Sequence, residues 1–259
     1  MWYCRPISVL CILSKLIERH VHDALYEYLT RQKLLFTAQS GFRAAHSCET
    51  ALLRMRDIWS TAMDKGELNS VILLDLRKAF DLINHGLLLQ KLKIYKCNNN
   101  SMKWFESYIT GRIQVTSFRG STSNSANITV GIPQGSILGP LFFILYMNDL
   151  PLHVTTNIDM YADDSTVHKS WKTIQDIEQN LNSDMKAISD WCSENKMVIN
   201  TTKTKSMLIT TKQRRSHLIE TLTIKVNDQV LEQTDHEKLL GVVVDENLDW
   251  KHHIKFGAL

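Results

Sequence analysis

Ser70-Val71-Ile72-Leu73-Leu74-Asp75 is a short apolar run that ends on a carboxylate. Unbroken apolar character without alternation is the pattern of a strand covered on both faces. The pattern on either side of it differs. Residues 14–30 and 47–64 carry apolar side chains at helical spacing, the first opened by Ser14 and the second stopped by Gly66. Downstream, 82–95 and 102–109 are expected as helices, the latter ended by Gly111. Residues 112–119 and 126–130 are strand-like around a Ser/Gly/Asn-rich turn, which predicts a hairpin. A loop at 131–135 precedes a helix expected over 136–150.

A second acidic feature follows at Tyr161-Ala162-Asp163-Asp164. The pattern predicts strands at 158–161 and 165–168 around a tight Asp163-Asp164 turn. Residues 173–191 form the clearest amphipathic helix, with a capping-box-like start at Thr173 and Asp176. Strands are expected at 206–210, 221–226 and 239–244. Helices come first, then strands and helices mix, so the class is α+β. Short hairpin strands with helices on one face fit a ferredoxin-like split βαβ unit.

Composition excludes whole classes. The chain has 259 residues, 44% apolar and 22% charged, which is globular rather than disordered or collagen-like. Lys plus Arg is 30 against 27 Asp plus Glu, a net charge of +3. That balance does not mark a nucleic-acid binder, so a basic groove would have to be local. The five cysteines (Cys4, Cys11, Cys48, Cys97, Cys192) are odd in number, widely spaced and without C-x-x-C. They predict reduced, mostly buried thiols rather than a zinc site or disulfide framework. The pairs His20/His22 and His252/His253 lack a cysteine at ligand spacing and read as ordinary histidines. The apolar run 7–13 is interrupted by Lys15 and Glu18 and lacks a cleavage site. The run 137–147 contains Gly139 and Pro140 and is far short of the roughly 20 residues of a membrane span. The expectation is an intracellular protein of cytoplasm or nucleus, with no membrane partner.

Two adjacent carboxylates repel, and a divalent cation relieves that repulsion. Mg²⁺ takes oxygen ligands, commonly one or two carboxylates plus substrate phosphates. Two such ions, roughly 3.5–4 Å apart, serve phosphoryl transfer. Asp75 at a strand end is the candidate third carboxylate; a solvated acidic turn at 163–164 is the alternative. The loop Gly131-Ile132-Pro133-Gln134-Gly135-Ser136 allows close backbone approach and opens a helix whose first N–H groups are free in principle. A plain turn is its alternative.

At these residues the chain resembles the reverse transcriptase domain of non-LTR (LINE-type, jockey-like) retrotransposons. The resemblance runs in order over nearly the whole chain. It begins at Arg5-Pro6-Ile7-Ser8-Val9-Leu10 with Ser14-Lys15-Leu16-Ile17-Glu18-Arg19, and continues at Gln39-Ser40-Gly41-Phe42-Arg43 with His46-Ser47. Leu74-Asp75-Leu76-Arg77-Lys78-Ala79-Phe80-Asp81 is similar to the motif carrying the first metal ligand. Gly131 to Pro140 is similar to the motif that shapes the template and nucleotide site, and Tyr161-Ala162-Asp163-Asp164 to the catalytic signature. Asn200 with Lys203-Thr204-Lys205, and Lys238-Leu239-Leu240-Gly241-Val242 as the primer-grip turn, complete the set.

The resemblance implies a right-hand fingers–palm fold that copies an RNA template onto a DNA primer from dNTPs. It implies two Mg²⁺ ions, with Mn²⁺ as a substitute, held by Asp75, Asp163, less directly Asp164, and the backbone carbonyl of Leu76. Phe80 is implied beneath the sugar of the incoming nucleotide, where a ring would exclude a 2′-hydroxyl; a core phenylalanine is the alternative. Gln134 and Gly135 are implied at the nascent base pair. Arg5 is the first candidate for the triphosphate. Arg43 is the second, with bracing the fingers as its alternative, and Lys203 is implied as general acid towards pyrophosphate. Tyr161, Lys205, Leu240 and Gly241 are implied along primer and template. Residues 195–219 carry six basic side chains and no acidic one (Lys196, Lys203, Lys205, Lys212, Arg214, Arg215). They would meet a phosphate backbone or form a solvated surface.

The expected layout is one reverse transcriptase domain over 1–250, with fingers at 1–68 and 85–130 and palm at 69–84 and 131–250. Residues 251–259 would then begin a thumb that is otherwise missing, and a full-length parent would add thumb and endonuclease regions. The alternatives are a truncated, inactive remnant that at most binds nucleic acid, and an RNA-dependent RNA polymerase, against which Phe80 and Ala162 argue.

Overall fold

The computed structural model describes residues 8–218 and 221–257, so Arg5 and Cys4 lie outside the described residues. The elements in the first half are α1 (Ile12–Arg31), α2 (Cys48–Asp64), β1 (Leu68–Leu74), α3 (His85–Ile94), α4 (Asn99–Ile109), β2 (Arg112–Gln114), β3 (Ser117–Phe118), β4 (Ser121–Thr122), β5 (Ala126–Ile128) and α5 (Leu138–Met147). The second half adds β6 (Asn157–Tyr161), β7 (Asp164–Trp171), α6 (Ile174–Glu194), β8 (Lys205–Ile209), α7 (Lys212–His217), β9 (Lys225–Val226), β10 (Gln229–Val230), β11 (Glu232–Gln233), β12 (His236–Leu239), β13 (Val242–Asp245) and α8 (Lys251–Gly257).

The chain forms two compact units. One comprises the residues up to Leu35 with Lys78–Asn148 and Asn195–Met197; the other comprises Phe36–Arg77, Asp149–Glu194 and the chain from Val198 on.

The first unit is mainly helical. Helix α5 is apolar all round, and nine of its ten residues are buried. Such a helix belongs in the centre of its unit, and α1 and α3 pack on it. The buried carboxylate of Glu18 in α1 accepts from Ile137 N at 2.7 Å and from Ser14 Oγ at 3.0 Å. Ser136 Oγ accepts from Gly139 N at 2.9 Å. The first N–H groups of α5, expected free, are thus taken by the protein's own side chains. The ribbon over 112–128 is nested, with β2 pairing β5 and β3 pairing β4.

The second unit holds a five-stranded sheet in the order β11-β8-β1-β7-β6. The central strand β1 is antiparallel to both β7 and β8. Helix α2, expected with the fingers, packs on this sheet: Met55 and Trp59 join Val71, Met207 and Ile209 in one buried cluster with Leu239 and Val244. Ser47 caps α2 in a reciprocal capping box with Thr50. Helix α6 buries Ile174, Ile177, Leu181, Met185, Ile188 and Trp191 and lies along β7.

Four expectations are corrected. Residues 239–244 are not one strand but the turn and second arm of a hairpin, β12–β13, with Leu240 at φ 49° and Gly241 at φ 91°. Two positive φ values in a two-residue connection suit the right-handed twist of the arms; the apolar pattern runs straight through the turn and hid it. Of 221–226 only Lys225–Val226 is strand. Leu222 and Ile224 are buried as the alternation predicts, but Glu178 and Asn182 of α6 take the backbone bonds of Thr223 and Lys225 in place of a ladder. The helix expected from 82 starts at His85, because Asn84 caps it by accepting from Leu87 N. Among the described cysteines only Cys192 is buried; Cys11 is exposed and Cys48 and Cys97 are half-buried. No helix among the described residues is long and apolar enough to cross a membrane.

Candidate active site

The β1–β7 ladder ends at the pair Leu74–Ser165. Asp75 follows Leu74 and Asp164 precedes Ser165, so both sit at the end of the ladder where it closes. Asp164 is itself the first residue of β7 and pairs with Tyr161. The turn is therefore Ala162-Asp163, not the expected Asp163-Asp164, with Ala162 at φ 57°. Shifting the turn by one residue moves Asp164 from the loop into the sheet.

Residues 200–204 wrap the backbone of Asp75. Asn200 N donates to the carbonyl of Asp75 at 2.8 Å, and Asp75 N donates to Thr204 Oγ1 at 3.2 Å. Arg77 N donates to Val198 O at 2.8 Å. These bonds flank the Leu76–Ile199 bridge. Leu76 is thus the non-hydrogen-bonded member of its pair, and its own carbonyl turns away from Ile199.

Asp75 and Asp164 line one cleft of about 320 Å³ with Leu73, Thr166, Lys203, Lys205, Glu237 and Leu240. Three consecutive residues of each strand, 73–75 and 164–166, line it, so the cleft sits at the ends of the two strands rather than on one face. Asp163 is half-buried on the turn and is not part of that lining. Among the described residues no three His, Cys, Asp or Glu side chains gather into a metal-binding group. Three carboxylates line the open cleft, Asp75 and Asp164 at the strand ends and Glu237 on β12. This set suits Mg²⁺, which takes one or two protein carboxylates and completes its shell with water and substrate phosphate. Leu240 lines the cleft and Gly241 completes its turn. Glu237 had no signal in the sequence; only the β12–β13 hairpin brings it here.

A buried polar network stands behind the acidic hairpin. His168 is fully buried, with Nε2 2.7 Å from Asp159 Oδ2. Trp59 Nε1 donates to His168 Nδ1 at 3.2 Å. Indole nitrogen only donates, so Nδ1 accepts and the ring proton sits on Nε2, aimed at Asp159. Arg54 NH1 lies 3.3 Å from the other oxygen of Asp159. The network ties α2 to both arms of the hairpin, and no local pattern announces it: an Asp between Ile158 and Met160 carries no signal until its partner across the sheet is known. The hydroxyl of Tyr161 titrates above its usual range, first through its hydrogen bond with the Cys48 thiol and then through burial.

The remaining predicted residues divide as follows. In the helical unit, Phe80 is half-buried and stacks on Phe143, with ring centroids 4.2 Å apart. Gln134 Nε2 donates to Asp81 Oδ1 at 2.9 Å, and Gly135 is exposed at φ 96°. Gly131 N donates to Ile83 O at 2.7 Å, and a Cβ on Gly131 would sit 2.8 Å from the carbonyl oxygen of Asp81. The loop 131–136 is thereby held against the segment that follows Phe80. In the sheet unit, Arg43 NH1 donates to the carbonyls of Phe36 and Gln39, which favours its bracing alternative. In the basic run, Lys205 pairs with Glu232, Lys212 with Asp249 and Arg215 with Glu246, while Arg214 donates to Lys172 O. Internal partners thus take up much of a charge that looked free for phosphate.

A family model described as reverse transcriptase (RNA-dependent DNA polymerase) matches residues 3–245. The chain belongs to that family. The particular relatives come from mobile elements. The chain is 29% identical to a probable RNA-directed DNA polymerase from transposon X-element of Drosophila melanogaster, over 96% of this chain and 27% of the relative. It is 28% identical to the RNA-directed DNA polymerase from mobile element jockey of Drosophila funebris, over 96% of this chain and 28% of the relative. The chain spans little more than a quarter of the length of these relatives. Among solved structures, telomerase from Candida tropicalis in complex with a fragment of telomeric RNA matches 93% of this chain and 37% of its own, at 12% identity and a TM-score of 0.61. That likeness shows the fold alone, a polymerase fingers–palm arrangement.

Proposed function

We propose that this chain catalyses RNA-templated DNA synthesis, transferring a nucleotide from a dNTP to the 3′-hydroxyl of a primer. The observation that supports it most is that Asp75 and Asp164, at the ends of two neighbouring strands, line one cleft. Asp75, Asp163 and Asp164 are the carboxylates for a pair of Mg²⁺ ions, with the carbonyl of Leu76 as a further oxygen and Mn²⁺ as a substitute. When bound, such a pair activates the attacking hydroxyl and neutralises the departing pyrophosphate. The sheet β8-β1-β7-β6 serves as a ferredoxin-like split βαβ palm within 69–84 and 131–250, with fingers at 1–68 and 85–130.

The chain's own residues carry the rest. Phe80, fixed by its stack on Phe143, limits the sugar pocket to deoxyribose. Gln134 and Gly135 lie at the nascent base pair. Lys203, exposed at the cleft, delivers a proton to pyrophosphate. Arg5 contacts the triphosphate, with Arg43 as second candidate. Tyr161, Lys205, Leu240 and Gly241 follow the primer–template.

Extension of a DNA primer on an RNA template in Mg²⁺ tests this, with Asp75→Asn and Asp164→Asn as controls. Addition by the wild type and none by the variants is expected. Equal addition by all three defeats the assignment. Salt-sensitive binding without any addition would favour the reading as an inactive nucleic-acid-binding remnant.

A further inference from the structure

The acidic turn is held by a side chain that no role yet explains. Gln39 is almost fully buried, at 1% exposure, on a segment that runs beside the outer edge of β6. Ser40 N donates to Met160 O at 2.7 Å, and Met160 N donates to Ala38 O at 2.9 Å. This short parallel pairing covers an edge strand that would otherwise expose its backbone. It also delivers the Gln39 side chain to the turn. Gln39 Oε1 accepts from Ala162 N at 3.2 Å and from Gly41 N at 2.8 Å. Both neighbours are N–H donors, so the amide has one sensible orientation, oxygen inward.

Two further observations show that the contact is demanding. Gln39 Nε2 is buried and has no hydrogen-bond partner among the described residues. A buried donor left unpaired is costly, and the side chain is held there against that cost by the two N–H groups its oxygen accepts from. And a Cβ on Gly41 would come within 2.1 Å of Ala162 N and 2.9 Å of Tyr161 C, both backbone atoms. The turn itself departs from relaxed geometry, since Ala162 has positive φ without being glycine. A strained turn persists only where its surroundings determine it.

We propose that Gln39 is a positioning residue for the acidic turn: its side-chain oxygen pins the N–H of Ala162 against the bare backbone of Gly41 and so fixes Asp163 and Asp164 relative to Asp75. This rests on the polymerase reading for its consequence, but the pinning itself does not. Gln39 touches no substrate; it acts through the turn. Without it the turn relaxes, the carboxylates spread over more positions, and divalent-cation affinity falls first.

The test uses the whole chain and Gln39→Met, which keeps length and apolar bulk but removes the amide oxygen. Amide hydrogen exchange of Ala162 is read in wild type and variant, with amides of β1 and β7 as internal standards. Protection of Ala162 in the wild type, and exchange at least tenfold faster in Gln39→Met with the standards unchanged, is expected. Exchange of Ala162 in the wild type at the rate of an open turn overturns the proposal without any variant, so a variant that fails to fold cannot rescue it. In primer extension, the Mg²⁺ concentration for half-maximal rate should rise about three- to tenfold, with KM for dNTP at saturating Mg²⁺ within about twofold. An unchanged Mg²⁺ requirement in a folded, active Gln39→Met also overturns it. A wild type that adds no nucleotide refutes the polymerase reading instead, and the exchange measurement still decides the pinning.

Discussion

Asp75 and Asp164 flank the Leu74–Ser165 pair that closes the β1–β7 ladder, and both line the same cleft. Two carboxylates that share a cleft repel unless a cation or a proton intervenes. The backbone of Asp75 is meanwhile clasped by Asn200 and Thr204, so the strand end cannot swing away to relieve the repulsion.

Replacing either carboxylate by its amide should therefore leave the fold intact and remove the chemistry. For Asp75→Asn and Asp164→Asn, single-nucleotide addition in Mg²⁺ should fall by at least about 10²-fold. Melting temperature should hold or rise, because one source of repulsion is gone. A variant that melts lower and keeps its rate would place both residues in stability rather than catalysis.

Phe80→Val should widen the sugar pocket. The ratio of ribonucleotide to deoxyribonucleotide addition should rise by at least about tenfold. Loss of the stack on Phe143 should cost about 1 kcal/mol beyond lost burial. Denaturant unfolding reads that cost, and competition between rNTP and dNTP reads the selectivity. Unchanged selectivity with lost stability returns Phe80 to the core.

The network behind the hairpin predicts a stability effect of its own. His168→Leu leaves the indole N–H of Trp59 and one oxygen of Asp159 without partners in a buried site. It should destabilise by about 2–4 kcal/mol, since two buried polar groups lose a partner. Trp59→Phe leaves His168 Nδ1 without its donor and removes part of a buried ring, so it should also cost about 2–4 kcal/mol. Urea unfolding reads both, and a neutral outcome for His168→Leu would show that the network adds nothing to stability.

Gly131→Ala meets two obstacles at once, a φ of 82° and the carbonyl oxygen of Asp81 at 2.8 Å from the new Cβ. A loss of about 1–3 kcal/mol is expected. Urea unfolding reads it, and a neutral outcome would mean that the loop is not held against residues 80–83.

Burial pushes the Cys192 thiol up to about 12. Its folded pKa lies above its ordinary value of 9.0, so the associated stability is whole below pH 9 and is lost as pH climbs towards 12. Iodoacetamide at pH 8 should label exposed Cys11 and leave Cys192 intact until denaturant is added. Peptide mass mapping distinguishes the two, and equal labelling of the native protein would show that the buried face of α6 is open.

Part of this protein was legible from its residues alone. The 70–75 run, the helix at 173–191 and the paired acids at 163–164 announced themselves because apolar period and adjacent charge are local properties. So did the motif order that marks the family. What lay beyond reach was set by partners distant in sequence. The apolar pattern at 239–244 read as one strand, and only the motif resemblance named a turn at 238–242; the strand at 221–224 lost its ladder to Glu178 and Asn182; the free helix start at 137 was taken by Glu18 from more than a hundred residues away.

The amino-acid order by itself determined which side chains are acidic, which stretches are apolar and in what succession they come. Only the folded chain decided that Asp164 belongs to a strand, that it shares a cleft with Asp75, and that Gln39 reaches the turn before Asp164. The reason is physical: hydrogen-bond register and the direction of a buried amide depend on a second segment of chain, and no local pattern records which segment that will be.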